Sequence, residues 1–443
     1  MPLEFGTDGV RGVAGTELSP EFVRSLGRAA ARVLGRGRWY LGRDTRQSGP
    51  ALAAALAAGL AAEGAEVSDL GVLPTPGVAF LSQRENAPAA VISASHNPYT
   101  DNGVKLFAAG GRKLADDVEA DLEAQIGHDP EVLGAGSRAV TVDPSPADAY
   151  LDHLVASLGD RRLDGLRLVI DCANGAASDV APTVLRRLGA QLTVLHAAPD
   201  GSNINAGCGS THPASLQGAV RAAGADAGLA FDGDADRVLA VDHTGALVDG
   251  DHLLAICALD LHARGALTDD SVVVTVMTNL GFRQAMAARG ITVVETDVGD
   301  RYVLAALEER GLALGGEQSG HIVFRDLATT GDGVLTGLQV LDVLKRNGRT
   351  LHDLSGSAMT RLPQVLRSVR VADRDRLPGA TLLWEQVAAA TEALGDRGRV
   401  LLRPSGTEPV VRVMVEAPTE QEAATTAENL CAAVTDALGP LPA

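Results

Sequence analysis

Aromatic residues make up only 3% of this 443-residue sequence, and lysine is rarer still, with Lys105, Lys113 and Lys345 standing against 35 arginines. The four cysteines, Cys172, Cys208, Cys257 and Cys431, form no CxxC pair. That spacing argues against a disulfide frame or a zinc site and fits buried thiols in a reducing compartment. Positive charge is also short: 38 basic against 56 acidic side chains leave a net charge of -18. A surface of that sign disfavours non-specific nucleic acid and anionic membranes, so neither is expected as a partner, and any anionic ligand has to be held by local chemistry. The longest apolar run, Ala51 to Ala62, falls short of the roughly 18 to 20 residues of a membrane span. The N-terminus has no basic segment leading into an apolar one, so a cytoplasmic location is expected. Neither the GxxxxGK[ST] of nucleotide P-loops nor the GxSxG of common hydrolases occurs.

What is present is apolar and repetitive. Hydrophobic residues reach 46%, and the length exceeds what one core of about 250 to 300 residues can serve. Short apolar strands alternate with helical stretches in the order of βαβ units and a mostly parallel sheet, and the pattern occurs three times. The first copy runs through strands near Trp39 to Gly42, Glu66 to Leu70 and Ala89 to Ser93, with a helix from about Gly49 to Glu63, and ends in ISASHNP. The second uses Leu166 to Cys172, Leu192 to His196 and Gly228 to Phe231, and ends in DGDADR. The third uses Val272 to Val276, Ile291 to Glu295 and two helices, and ends in GGEQSGH. A tail with strands near Ser368, Val400 and Val410 and helices near Thr381 and up to Leu438 reads as α+β. The expected fold is therefore three repeated mixed-sheet α/β domains plus a C-terminal α+β domain around a central cleft. The expected boundaries are 1–155, 156–257, 258–367 and 368–443. Ligands of open α/β sheets sit beyond the carboxyl ends of the strands, where each copy delivers one polar loop.

Phe231-Asp232-Gly233-Asp234-Ala235-Asp236-Arg237 places three carboxylates at alternate positions after an apolar strand. Their mutual repulsion is relieved by a hard divalent cation, and carboxylates favour Mg²⁺ or Mn²⁺ over zinc. An EF-hand is excluded, because Arg237 and His243 fall where it requires Gly and Glu. A phosphatase with Asp232 as nucleophile and a plain acidic turn remain open. Ser95, in Val91-Ile92-Ser93-Ala94-Ser95-His96-Asn97-Pro98, sits at a strand end suited to a nucleophile, although turns favour Ser and Asn for their own hydrogen bonds. Lys105 in DNGVK is held against a strong arginine bias, which fits proton exchange or a surface position. Arg403-Pro404-Ser405-Gly406-Thr407-Glu408-Pro409, with Arg412 beyond, combines guanidinium, hydroxyls and a permissive Gly, a nest for a phosphate dianion or an ordinary hairpin turn. Glu317, Gln318, Ser319 and His321 of GGEQSGH match sugar hydroxyls.

Taken together, ISASHNP with DNGVK, DGDADR, GGEQSGH and RPSGTEP resemble the serine, metal, sugar and phosphate loops of the α-D-phosphohexomutases, in that order. Thr7-Asp8-Gly9-Val10-Arg11-Gly12 and Gly42-Arg43-Asp44-Thr45-Arg46 extend the likeness over essentially the whole chain. Gln318 and Asn203 to Pro213 look most like the bacterial phosphoglucosamine mutase branch, while Leu106 and Ala206 depart from the usual pattern without touching a catalytic group. The resemblance implies an isomerase that interconverts glucosamine 6-phosphate and glucosamine 1-phosphate through a phosphoserine and a 1,6-bisphosphate, supplying UDP-N-acetylglucosamine and cell-wall synthesis. A glucose or mannose phosphate mutase, or a sugar phosphatase, is the alternative. It implies that Ser95 carries the phosphate and joins Asp232, Asp234 and Asp236 around one Mg²⁺. Arg11, His96, Lys105 and His321 would serve catalysis. Arg237, Glu317, Ser319, Arg403, Ser405, Gly406, Thr407 and Arg412 would bind substrate, with glucosamine or glucose 1,6-bisphosphate as activator. The partners implied are hexosamine phosphates, with room for a homodimer and for phosphorylation of Ser95 by a kinase or by the protein itself.

Overall fold

The computed structural model describes residues 5–6, 9–126, 142–405 and 409–439. The chain divides into two compact units, Met1–Met277 with Gly290–Ala358, and Thr278–Arg289 with Met359–Ala443.

The first unit holds three sheets. In the first, Glu66–Val72, Arg38–Arg43 and Ala89–Ile92 run parallel, and Asp101–Ala108 and then Val10–Val13 continue the sheet antiparallel. In the second, Gln191–Leu195, Arg167–Asp171 and Ala227–Phe231 are parallel, and Val238–Asp242 and Leu247–Val248 close it antiparallel. In the third, Thr292–Thr296, Ser271–Thr275 and Leu314–Gly316 are parallel, and Ile322–Phe324 returns antiparallel. The sheets are thus less parallel than the strand-helix alternation alone implies. In each, the polar loop joins the last parallel strand to the antiparallel strand beside it. Three chemically different loops therefore leave the same topological position, at the carboxyl end of a buried strand.

The buried strands are nearly continuous apolar runs, as strands covered on both faces must be: Ala89–Ile92, Ala227–Phe231 and Ser271–Thr275 are buried throughout. Pro20–Leu34, capped by the Ser19 hydroxyl accepting from the Phe22 N–H, packs on the Ala-rich helix Gly49–Ala62. Two glycines make that approach close. A Cβ on Gly27 would lie 2.5 Å from the Leu56 carbonyl oxygen, and one on Gly59 would lie 2.1 Å from that of Arg24. The first-unit sheets have separate hydrophobic clusters, centred for example on Leu56 and Trp39, on Val169 and Val220, and on Val273 and Leu307.

The second unit is an antiparallel sheet, Gln364–Arg370, Val410–Glu416 and Arg399–Pro404, backed by Thr381–Leu394 and Glu420–Leu438 around its own core. Leu280–Ala287, which the repeat pattern reads as a helix of the third copy, groups with this unit. Glu416 explains why. Its fully buried carboxylate accepts from the Leu280 N–H at 2.9 Å, Asn279 Nδ2 at 3.2 Å, Gln364 Nε2 at 3.0 Å and Arg399 Nε at 3.0 Å.

Candidate active site

Ser95 follows the strand Ala89–Ile92 and is fully buried, with φ +50°, a left-handed conformation uncommon for a residue with a Cβ. That backbone turns its hydroxyl toward the acidic loop of the second sheet, where Oγ donates to Asp232 Oδ2 at 2.6 Å. Two loops 137 residues apart thus meet in one hydrogen bond. The meeting requires glycine at 233, because a Cβ there would lie 2.5 Å from the Ser95 carbonyl oxygen. Ala235, also left-handed at φ +57°, completes the turn.

The three aspartates are buried, and one oxygen from each lies within 4.8 Å of the other two. Lys105 Nζ, itself 3% exposed, donates to Asp234 Oδ2 at 2.8 Å and to Asp236 Oδ2 at 3.2 Å. Thr75 Oγ1 donates to Asp234 Oδ2 at 2.6 Å, and the Arg237 N–H to Asp232 Oδ1 at 3.2 Å. Burial, then the charges of Asp236 and Asp234, hold the Asp232 carboxyl well above the usual carboxylate range. Asp234 Oδ1 is buried and makes no hydrogen bond. Clustered carboxylates with an unsatisfied buried oxygen fit a hard divalent cation, and an all-oxygen donor set favours magnesium.

His96, beside Ser95, is held low, to about 4, by burial and by the nearby charges of Arg237 and Arg11. Arg237 Nη1 donates to His96 Nδ1 at 2.9 Å, so the ring is neutral and carries its proton on Nε2. Arg11, half-buried on Val10–Val13, lies opposite Gly103 in the sheet. His321 is buried in the third loop. Its Nε2 accepts from the Gly331 N–H at 3.1 Å, which leaves Nδ1 protonated and 3.8 Å from Asp236 Oδ2. Glu317 accepts from the Gly299 N–H at 3.3 Å, and Ser319 is exposed to solvent. The first unit therefore assembles Ser95, His96, Arg11, Lys105, the three aspartates, Arg237 and His321 around two loops that touch.

Arg403, Ser405 and Arg412 lie in the second unit, and Gly406 and Thr407 fall outside the described residues. Antiparallel pairing sets Arg403 directly opposite Arg412, and burial together with that neighbour lowers the Arg403 guanidinium. Arg403 Nε is buried without a hydrogen bond. Like charges facing across a ladder oppose pairing unless an anion joins them, and two guanidinium groups beside a hydroxyl suit a phosphate.

Reading the sequence did not assign roles to several residues the site depends on: Asp44, Arg46, Thr75, Ser93 and Asn205. Asp44 and Arg46 could have been found. They follow a strand that pairs in parallel with Ala89–Ile92, which places Asp44 beside Ser93. Asn205 lies in the Asn203 to Pro213 stretch noted above, which did not disclose its role, and Thr75 carried no local signal.

Four regions of the chain, residues 2–132, 148–245, 249–362 and 338–433, match in order the phosphoglucomutase/phosphomannomutase alpha/beta/alpha domains I, II and III and the C-terminal domain. The chain belongs to this phosphohexomutase family. Its relatives include the phosphoglucosamine mutase of Frankia alni, 54% identical over the full length of both chains. That of Symbiobacterium thermophilum is 52% identical, covering 94% of this chain and 95% of the relative. Among solved structures, a phosphoglucomutase/phosphomannomutase family protein from Burkholderia thailandensis matches with a TM-score of 0.81 and 28% identity, covering 97% of each chain. The Aspergillus fumigatus N-acetylphosphoglucosamine mutase, solved in complex with GlcNAc-6P and magnesium, shares the fold at TM-score 0.72 and 20% identity, covering 99% and 96%. No helix among the described residues is long and apolar enough to cross a membrane.

Proposed function

We infer that this chain is a phosphoglucosamine mutase that interconverts glucosamine 6-phosphate and glucosamine 1-phosphate, with Ser95 as the phosphoryl carrier. The observation that carries the reading is the Ser95 Oγ to Asp232 Oδ2 hydrogen bond, which joins a strained serine loop to a carboxylate cluster built for a cation. The supporting likeness is to phosphoglucosamine mutases over the whole chain.

In the forward direction, O1 of glucosamine 6-phosphate attacks the phosphorus on Ser95. The O1–P bond forms, the P–Oγ bond breaks, and the O1 proton passes to a base of the site. Ser95 Oγ regains a proton, as in the hydroxyl seen here donating to Asp232. The resulting 1,6-bisphosphate turns end for end; Ser95 Oγ attacks the 6-phosphorus, the Oγ–P bond forms as the P–O6 bond breaks, the Oγ proton passes through the site to O6, and glucosamine 1-phosphate leaves. Phosphoryl transfer depends on in-line positioning and charge stabilisation more than on covalent assistance.

Asp232, Asp234, Asp236 and the Ser95 oxygen would hold one Mg²⁺, whose charge offsets that of the transferring group. Lys105, held by Asp234 and Asp236, and the imidazoles of His96 and His321 would exchange protons at the two ends of the sugar. Glu317 and Ser319 bind sugar hydroxyls. Arg403, Ser405, Gly406, Thr407 and Arg412 grip the phosphate that is not reacting. The proposal includes a cytoplasmic location and charging of Ser95 by glucosamine or glucose 1,6-bisphosphate.

The test is turnover on glucosamine, glucose and mannose phosphates by the parent and by Ser95→Ala, with the phosphorylated residue mapped after treatment with sugar bisphosphate. Acid-stable phosphoserine at 95 and fastest turnover on glucosamine phosphates are expected. Full activity of the alanine variant, or label on Asp232, overturns the reading.

A further inference from the structure

The hydroxyl of Ser95 has one partner in the metal loop, but its peptide group is held from both sides by residues to which no role has been given. The Ser95 N–H donates to Ser93 Oγ at 2.9 Å, and Ser93 Oγ in turn donates to Asp44 Oδ2 at 2.7 Å. The Ser95 carbonyl accepts from Arg46 Nη2 and from Asn205 Nδ2, each at 2.9 Å.

Arg46 is spent entirely on this loop. Its side chain is fully buried, and Nε donates to Asp44 Oδ2 at 2.8 Å. Nη1 donates to the carbonyls of Pro98 and of Asp101, the latter at 3.0 Å, and Nη2 also reaches the Asn97 carbonyl at 2.9 Å. All five guanidinium hydrogens are used, four of them on backbone carbonyls within a seven-residue turn. Asn205, from the second sheet's side of the same unit, donates to the carbonyls of Ser95 and Asn97 at 2.9 and 3.1 Å.

A surface turn does not need this. A guanidinium without solvent is costly to bury unless its hydrogen bonds are complete, and a non-glycine residue at φ +50° persists only where its surroundings impose it. The strained residue is the one that bears the reacting oxygen.

We propose that Arg46 and Asn205 are positioning residues for phosphoryl transfer, which lock the Ser95 peptide in its left-handed turn so that Oγ stays aimed into the carboxylate cluster in both the charged and uncharged states of the enzyme. The proposal rests on Ser95 being the phosphoryl carrier. Neither side chain meets the reacting atoms. Their effect is on the orientation of the Oγ–P bond, and misorientation lowers the rate of the chemical step rather than the affinity for sugar. Arg46 acts within the first sheet's own domain, and Asn205 ties the same carbonyl to the second, so the serine turn is registered against the metal loop from two directions.

The experiment uses the full chain, charged with glucose 1,6-bisphosphate, with phospho-Ser95 occupancy measured by mass spectrometry and turnover expressed per phosphorylated site. Asn205→Ala should lose about tenfold in kcat and Arg46→Lys about a hundredfold, with KM for glucosamine 6-phosphate within about threefold of the parent. Arg46→Ala should recover about fivefold or more in tens of millimolar guanidinium chloride and gain nothing from methylammonium, since only the planar fork reaches four carbonyls. A folded variant that fails to charge also supports the proposal, because charging is the same transfer run backwards. A merely structural role would lower the melting temperature and the folded fraction while leaving kcat per phosphorylated site at the parental value. That result in Arg46→Lys and Asn205→Ala overturns the inference. Ser95→Ala run alongside separates the two readings. If it turns over normally, the assignment of Ser95 falls; if it is inactive while the two positioning variants match the parent, this inference falls alone.

Discussion

The acidic loop after Ala227–Phe231 in the first unit and the connection between Arg399–Pro404 and Val410–Glu416 in the second occupy comparable places, each between two antiparallel-paired strands, and are bordered by crowded charges of opposite sign. Asp232, Asp234 and Asp236 crowd three carboxylates together, with Lys105 paired to Asp234 and Asp236 and Arg237 to Asp236. Arg403 and Arg412 place two cations face to face. Crowding charges of one sign is unfavourable by itself and is relieved by a ligand of the opposite sign. A binding site can therefore be recognised as a charge defect that the surrounding packing enforces.

The largest expected effect comes from altering the first defect. Asp234→Asn should lower kcat by about a thousandfold and abolish any rise in melting temperature on adding Mg²⁺; a Mg²⁺-induced rise equal to the parent's would mean that the triad is not the cation site. Altering the second is milder. Arg403→Ala should raise KM for glucosamine 6-phosphate by about thirtyfold, the loss of one charge-assisted phosphate contact. A KM within twofold of the parent in steady-state assays would remove Arg403 from the phosphate anchor. Inorganic phosphate at about ten times its Kd should stabilise the parent by about 1.4 kcal/mol and Arg403→Ala by less, read by calorimetry. The smallest effect concerns pH. His96 is held near 4 in the folded chain, against about 6.5 when unfolded. The native state then binds fewer protons, so the contribution of His96 to stability is complete above pH 6.5 and is lost as pH falls from there toward 4. His96→Gln should flatten the dependence of unfolding free energy on pH across that window, and an unchanged slope would place the titration elsewhere.

The two regions also differ in how much of them the sequence discloses. The Ser95, Asp232 and His321 loops were legible as polar segments at strand ends, because their chemistry is concentrated in six or seven residues following apolar strands. The parallel strands were legible for the same reason as their burial: runs such as Ser271–Thr275 and Ala89–Ile92 have no polar alternation. The antiparallel strands after the loops were not, since Asp101–Ala108 begins with the polar residues of a functional motif and reads as loop. Helix Pro20–Leu34 went unassigned, although its Ser19 cap and Pro at the first turn are local signals. Arg46 and Asn205 fall in stretches the sequence singles out, Gly42 to Arg46 and Asn203 to Pro213, but the bonds that give them a role do not show there. Their partners lie 49 and 110 residues away along the chain, and no window of sequence contains both ends of such a bond. The like-charge opposition of Arg403 and Arg412 likewise depends on register, which spacing alone leaves open.

Glu416 sets a limit on how this chain can be divided. Its carboxylate is satisfied partly by Asn279 and the Leu280 N–H, which the chain delivers long before the tail begins. A fragment starting at Met359 would keep the sheet and both long helices, yet leave a buried anion short of two of its donors. The C-terminal region is therefore not a removable module: cutting the polypeptide once cannot free it, and any shuffling of domains between relatives has to carry the short helix along.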